Sequence, residues 1–293
     1  MYNLFYKYMN MQNLIYIFII FLMLILVMIM IMISVAFFTL FERKIMGIFH
    51  YRKGPNKISL IGLMQPFSDA MKLLMKEFFL PLNSNLYLYL IMPIMMLILI
   101  LLTWMIYPFL NNLLMWKFNI LYFLCLMSLG VYSIMLGGWS SNSSLSMIGS
   151  IRSIAQSISY EVIFSISLLL MLMMLNSLNF FNFMNLNLKL IFMLYPNFLI
   201  LLISMLAEIN RTPFDLSEGE SELVSGFNIE YSSSNFTLIF LSEYASIMMM
   251  MFMLNFIFLY YYQMNLIFFF NFIFMIYFIT WIRMLSLEFD LMY

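Results

Sequence analysis

Histidine and cysteine are almost missing from this chain: its 293 residues contain one of each, His50 and Cys125. An iron–sulfur cluster takes about four thiolates, and a haem held by two imidazoles takes a pair, so the chain holds no such centre by itself. Cys125 lies within an apolar run and reads as a small core residue, and His50 reads as a solvated side chain in a polar loop. Charge is scarce too, at 9% of residues with 13 basic and 13 acidic side chains, which excludes an ordinary water-facing surface. What fills the space is apolar: 65% of residues are hydrophobic and the mean hydropathy is +1.01. That composition describes a chain dissolved in a bilayer.

Apolar stretches long enough to span occur at 14–41, 86–110, 119–138, 162–175 with a more polar lead-in from 148, 190–207, 235–259 and 266–282. The expected fold class is therefore all-α, a polytopic helical membrane protein of about seven transmembrane helices. Helices satisfy their own backbone groups in lipid, and nothing here alternates as barrel strands do. The first stretch, Leu14 to Phe41, is 28 residues, or ~42 Å of helix against a ~30 Å hydrocarbon core, and is expected to tilt. A signal peptide is the competing reading, but the run far exceeds an h-region and lacks a small-residue cleavage site. Met (34) and Phe (33) are abundant while Ala and Val are scarce. The favoured residues share A- and T-rich codons, which points to an organelle-encoded gene, and the methionines read as gap-filling hydrophobes.

If spans alternate in direction, the connections after the first, third, fifth and seventh share one side. That side collects Arg43, Lys44, Arg52, Lys53, Lys57, Lys72, Lys76, Arg152, Arg211 and Arg283, leaving Lys7, Lys117 and Lys189 for the other. The bias marks the cytoplasmic or matrix face. The acids gather on or near the same face, and a surface collecting both signs is suited to docking. The organisation expected is a single transmembrane domain, 1–293, with a basic loop and interfacial helix at 42–80 and an acidic loop at 208–231.

Within 42–80, Gly54-Pro55 signals a turn, and the lysines suit a lipid-headgroup anchor. From Gly62 to Phe79, Leu63, Met64, Phe67, Met71, Leu74 and Phe78 recur at helical spacing opposite Gln65, Asp69, Lys72 and Lys76, the pattern of an amphipathic helix lying in the interface. Asp69 and Lys72 stand three apart and can pair. After a Ser-rich linker at Ser140 to Ser144, Arg152, Gln156 and Tyr160 form one stripe and Ser153, Ser157 and Glu161 the adjacent one, so half of this helix must face protein or water.

Glu161 at the start of an apolar run and Glu243 inside the sixth span are candidate functional carboxylates, because charge in lipid is expensive. A neutral, hydrogen-bonded core glutamate is the alternative for each. The densest charge is at 208–230, with six carboxylates, Glu208, Asp215, Glu218, Glu220, Glu222 and Glu230, and one arginine, Arg211. Ser217 and Glu220 make a capping box, and a short helix near 218–225 would account for Glu218 and Glu220. It leaves Glu208, Asp215, Glu222 and Glu230 unexplained, as well as Arg211 three residues after Glu208 at the membrane boundary, where a buried pair is costly without further partners.

The strings Glu42-Arg-Lys44, Arg52-Lys-Gly-Pro-Asn-Lys57, Gln65-Pro66, Asp69-Ala-x-Lys72, Lys76-Glu77, Gly137-Gly-Trp-Ser140, Ala155-Gln156 with Ser159-Tyr-Glu161, Ala207-Glu-x-Asn-Arg-Thr-Pro-Phe-Asp215, Glu218-Gly-Glu-Ser-Glu-Leu-Val-Ser-Gly-Phe-Asn228 and Glu243-Tyr-Ala245 resemble the chain 1 family of mitochondrial NADH:ubiquinone oxidoreductase, respiratory complex I. The resemblance covers about residues 14 to 284 and is most specific at Ala207 to Tyr231. It implies an inner-membrane subunit, without a redox centre of its own, that forms much of the ubiquinone tunnel. Its partners would be the hydrophilic arm holding the terminal iron–sulfur cluster and neighbouring membrane-arm subunits. Carried over, Arg43, Asp69, Lys72, Arg211, Phe214 and Phe227 look like tunnel and junction residues. Glu161, Glu208 and Glu243, with Asp215, Glu218, Glu220 and Glu222, look like the acidic path coupling quinone reduction to proton translocation. The cofactor implied is ubiquinone, as substrate, with no bound metal or haem.

The chain departs from that family where it reads Arg283-Met-Leu-Ser-Leu-Glu-Phe-Asp290-Leu-Met-Tyr293, since the family continues into an eighth span. Two rivals from other classes fit less well. A proton-coupled transporter would more often show broken spans and matched repeats. A purely structural anchor has no need of carboxylates inside helices.

Overall fold

The computed structural model describes residues 2–107, 117–179, 182–183, 190–217, 226–259 and 266–292, with side chains described between residues 15 and 285. Its helices, in order, are α1 (Tyr2–Phe49), α2 (Gln65–Leu74), α3 (Leu86–Thr103), α4 (Asn119–Ser141), α5 (Ser144–Leu175), α6 (Leu190–Met193), α7 (Tyr195–Glu208), α8 (Ser233–Phe258) and α9 (Leu266–Met292), and no strand occurs among the described residues. Six of them, α1, α3, α4, α5, α8 and α9, are long and apolar enough to cross a membrane. All seven expected stretches are helical, but the fifth differs in kind. It is broken at Leu194 into α6 and the 14-residue α7, roughly 21 Å long and short of the ~30 Å core. Pro196, in the first turn of α7, lacks the N–H that a continuous helix would need, so the helix restarts there.

Boundaries shift elsewhere for identifiable reasons. The first helix does not stop at Phe41 but continues to Phe49, so Glu42, Arg43 and Lys44 are helical rather than in a loop. The Ser-rich linker shrinks to Asn142 and Ser143, because Asn142 takes a left-handed conformation (φ 54°) that reverses the chain at once. Ser140 and Ser141 stay helical, their hydroxyls donating to the carbonyls of Gly137 and Gly138. The interfacial helix is shorter than the 62–79 pattern, with Pro66 in its first turn, and Phe67 packs edge-on against Phe37 of α1. Cys125 lies on the exposed side of α4, not in the core, since it falls on the opposite face from the buried Phe123 and Leu126 side.

The bundle is organised around α8, which packs against α1, α2, α3, α7 and α9 and is buried along most of its C-terminal half, from Ile247 to Phe258. Met248, Met249, Met250, Met251 and Met253 all lie in this core, where flexible thioethers fill irregular gaps. Phe252 packs against Trp104 and Phe268 at centroid distances of 5.9 and 5.8 Å. Two polar ties fix neighbours to α8: Trp104 Nε1 donates to the Ala245 carbonyl (3.2 Å), and Asn255 Nδ2 to the Phe268 carbonyl (3.0 Å). With no hydrophobic drive between helices in lipid, such packing and hydrogen bonds set the arrangement.

The segment leading into α8 is seated on α4 and α5. Tyr231 stacks on Tyr89 (4.4 Å, 4°) and donates to the Gly137 carbonyl (3.3 Å); burial pushes its hydroxyl above the ordinary tyrosine range, against a smaller opposing effect of Ser140. At Gly149 of α5 a Cβ would come within 3.1 Å of Gly226 Cα, Phe227 N and Ser217 O. These are backbone atoms, which cannot swing aside. Gly149→Ala is therefore expected to lower stability by about 1–3 kcal/mol, seen as a lower thermal unfolding midpoint in detergent or bilayer. An unchanged midpoint would mean that this close approach does not persist in the membrane.

Candidate functional site

The early end of α7 creates the site. Its last residue, Glu208, is 9% exposed, and Asn210 turns the chain with a left-handed conformation (φ 53°). Gln156 of α5 holds this break in place, donating through Nε2 to the carbonyls of both Ala207 and Phe214 at 2.7 Å. A glutamine in the polar stripe of α5 thus supplies the donors for carbonyls that the broken backbone leaves exposed. The Phe214 ring rests against Tyr160, 5.6 Å away, on the same stripe.

Arg211, 8% exposed, reaches from the turn to α8, where its Nη2 lies 3.2 Å from Glu243 Oε2. Its guanidinium also sits over the Tyr244 ring, 4.9 Å from the centroid, a cation–π arrangement. Glu208, Arg211 and Glu243 share the wall of one cavity of about 110 Å³ with Ser157, Asn210, Ser217, Ser242 and Phe227. Ligand pockets usually measure about 300–1,000 Å³, whereas a water occupies ~30 Å³. The space holds several water molecules and is open on one side rather than enclosed. Among the described residues, Glu208 Oε2 and Asn210 Oδ1 are buried without a hydrogen-bond partner. Two unsatisfied acceptors on the polar side of a cavity otherwise walled by Met96, Leu99, Ile100, Leu126, Val131 and Met249 are a setting that ordered water fills. Glu161 is half-buried on α5, within electrostatic reach of Glu208.

A second charged group, not singled out in the sequence, lies on the other side of Tyr244. The Tyr244 hydroxyl donates to Glu42 Oε2 (2.6 Å), and Glu42 Oε1 pairs with Arg283 of α9. Glu42 is 5% exposed. The rule that an ionisable residue inside a span marks function would have found it, but Glu42 borders the apolar run and was assigned to the polar connection. Arg283 likewise follows the seventh run by a single residue.

The remaining predicted residues fall in three groups. Arg43 and Asp69 pair between α1 and α2 at 2.6 Å, with Gln65 donating to Asp69 at 2.8 Å. The expected Asp69–Lys72 pair is replaced by this one, because the extended α1 carries the Arg43 guanidinium to Asp69 and leaves Lys72 exposed. Asp215 is half-buried and accepts the Ser217 hydroxyl at 3.3 Å, so Ser217 is engaged two residues back. Glu218, Glu220 and Glu222, with the capping box and short helix expected near 218–225, lie outside the described residues. No group of three or more His, Cys, Asp or Glu side chains placed to hold a metal occurs among the described residues.

Arg211 is buried and Glu243 half-buried, and their pairing has an energetic consequence. Removing one partner of a buried pair costs about 3–5 kcal/mol because the other charge is stranded, whereas replacing both with apolar groups is often near neutral. Arg211→Leu should therefore destabilise the protein more than Arg211→Leu combined with Glu243→Leu, measured by thermal unfolding. Equal losses would show that the pair is solvated.

A family model described as NADH dehydrogenase matches residues 22–289. A Locusta migratoria protein named NADH-ubiquinone oxidoreductase chain 1 is 48% identical over 254 residues, covering 85% of this chain and 80% of its own length. Proteins of the same name from Apis mellifera ligustica (47% identical, 85% of this chain and 82% of theirs) and Mytilus edulis (42% identical, 74% and 72%) match as well. An all-helical membrane bundle with a carboxylate cavity at a broken helix, matched over nearly its whole length in this way, belongs to the NADH dehydrogenase family.

Proposed function

We propose that this chain is a core membrane subunit of a proton-translocating NADH:ubiquinone oxidoreductase of the mitochondrial inner membrane, with a functional cavity at Glu208, Arg211 and Glu243. In this reading the cavity belongs to the path that couples quinone reduction to proton translocation. One observation carries the coupling role: Glu208 buries an acceptor oxygen without a partner, facing a water-sized cavity that it shares with an ion-paired carboxylate. A carboxyl in that setting can hold a proton and pass it to or from a water within hydrogen-bond reach. Glu243, held by Arg211, supplies the neighbouring charge, and Glu161 bears on Glu208 from α5.

Ubiquinone is the substrate, and its reduction takes up electrons and protons together. Electrons come from an iron–sulfur centre of a neighbouring hydrophilic subunit, since one cysteine and one histidine cannot hold such a centre here. We assign the quinone path to the junction of α1 and α2 rather than to the carboxylate cavity. The Arg43–Asp69 pair at the junction of α1 and α2, with Lys72 and Phe214, is our candidate for the tunnel wall. Arg211 and Phe227, which the family resemblance places at the tunnel and junction, line the carboxylate cavity and act on its proton chemistry. A change in charge at the quinone reaches the cavity because interactions between charges are strong in a low-dielectric interior. Asp215, Glu218, Glu220 and Glu222 extend the acidic path toward the charged face. The exposed apolar side chains of Leu63, Met64, Met71, Leu74 and Met75 around α2 fit a chain surrounded by lipid and other subunits.

The test is made on the assembled complex in native membranes. Glu208→Gln keeps size and polarity but removes the exchangeable carboxyl proton; it should reduce quinone reduction and proton translocation by about 10²-fold, the usual contribution of a positioned acid or base, while NADH oxidation by a water-soluble acceptor persists. Full rates of quinone reduction and proton translocation in Glu208→Gln and in Glu243→Gln would remove both residues from the coupling path. Asp69→Asn, by contrast, should raise KM for a short-chain quinone more than it lowers kcat; an unchanged KM would take Asp69 out of the tunnel wall.

A further inference from the structure

Tyr244 touches both buried ion pairs. Its ring lies under the Arg211 guanidinium (4.9 Å), and its hydroxyl donates to Glu42 (2.6 Å), which holds Arg283. The ring has little freedom, being 7% exposed, with Phe38 edge-on at 5.4 Å and Phe240 stacked at 5.6 Å. One side chain on α8 thus joins α1, α9 and the turn after α7. Among the described residues the group contains two carboxylates and two guanidiniums, in an interior that screens charge poorly. Neutralising Glu243 removes that charge from beside Arg211, whose guanidinium still lies over the π-face of Tyr244. Any shift of that guanidinium changes the ring's position and so the geometry of the hydroxyl that holds Glu42.

We propose that Tyr244 is a positioning residue that couples the Arg211–Glu243 pair to the Glu42–Arg283 pair, so that a change of charge at the cavity is transmitted to α1 and α9. The kinetic form of this coupling rests on the function proposed above; its structural form does not. The connection runs through a ring and a hydroxyl, and these can be separated. Tyr244→Phe keeps the ring under Arg211 and removes the bond to Glu42. Arg211 and Arg283 are also within direct electrostatic reach of each other, which supplies the competing route.

The test is amide hydrogen exchange of residues 43–49, the last turns of α1 beyond Glu42, in the assembled membrane complex. Glu243→Gln should speed exchange there about fivefold or more, the lower range of measured couplings between sites, when Tyr244 is present. In a Tyr244→Phe background the same substitution should have no further effect. No response of residues 43–49 to Glu243→Gln with Tyr244 present overturns the proposal. An undiminished response in the Tyr244→Phe background also overturns it, in favour of direct electrostatics. If Glu243→Gln does not assemble, Glu243→Asp, which keeps the charge and withdraws it from Arg211, takes its place with the same expected pattern. The turnover of quinone reduction is read on the same four proteins, where the effects of Glu243→Gln and Tyr244→Phe should fail to multiply. If Glu243→Gln leaves turnover at full rate, the coupling function falls, and the exchange pattern still decides the role of Tyr244.

Discussion

A charge placed in hydrocarbon has nowhere to go except to another charge or to trapped water, and the interior of this bundle is arranged around that constraint. Arg211 is 8% exposed and Glu42 5% exposed. Insertion of either beside lipid costs on the order of several kcal/mol, so each must be held by a partner from a different helix. The partners come from α8 and α9: Glu243 of α8 faces the turn after α7, and Arg283 of α9 faces α1. Pairing alone does not offset desolvation. The additional contacts that do so here are specific: the Tyr244 ring and hydroxyl for the two pairs, and the Gln156 amide for the carbonyls of the interrupted backbone.

The broken fifth stretch follows from the same economy of polar groups. A continuous helix would have satisfied every backbone group but would have carried Glu208 and Arg211 on into a lipid-length span. Pro196 resets the helix late, Asn210 ends it early, and the segment that remains is too short to cross on its own. Irregular backbone at this depth is tolerated where it is buried in protein or lines a cavity. Both conditions hold: Gln156 covers the carbonyls, and a cavity opens beside Glu208.

Much of this was legible before any coordinates. Runs of large apolar side chains located the long helices, and two of the carboxylates singled out in the sequence, Glu208 and Glu243, line one cavity. The period-four stripe on α5 announced a protein-facing surface, and Gln156 and Ser157 fill that role. What failed to show was depth and pairing across long separations. Glu42 and Arg283 are 241 residues apart, and each sits beside an apolar run rather than inside one, so hydropathy placed them in solvent. Asp69 was matched to Lys72 by local spacing, yet the helix carrying Arg43 ran two turns further than hydropathy implied and supplied the stronger partner. Cys125 was placed in the core on the average behaviour of cysteine, which says nothing about which face of a helix looks inward. In each case the missing quantity was the rotation or the true end of a helix, which packing decides and composition does not.

The proposed function gives two tasks to two places in the bundle. In that reading the carboxylates lining the cavity of about 110 Å³ act on protons and reach the redox chemistry through space or through side chains that move. Fast, direct contact between quinone and Glu208 is then unnecessary. What the structure must provide instead is a stiff, poorly screened connection between the charged junction at α1 and the cavity at α7 and α8. Two neutral-sum ion pairs bridged by one clamped tyrosine provide it. The arrangement responds to a unit of charge at either end because charges interact strongly in an interior of low dielectric.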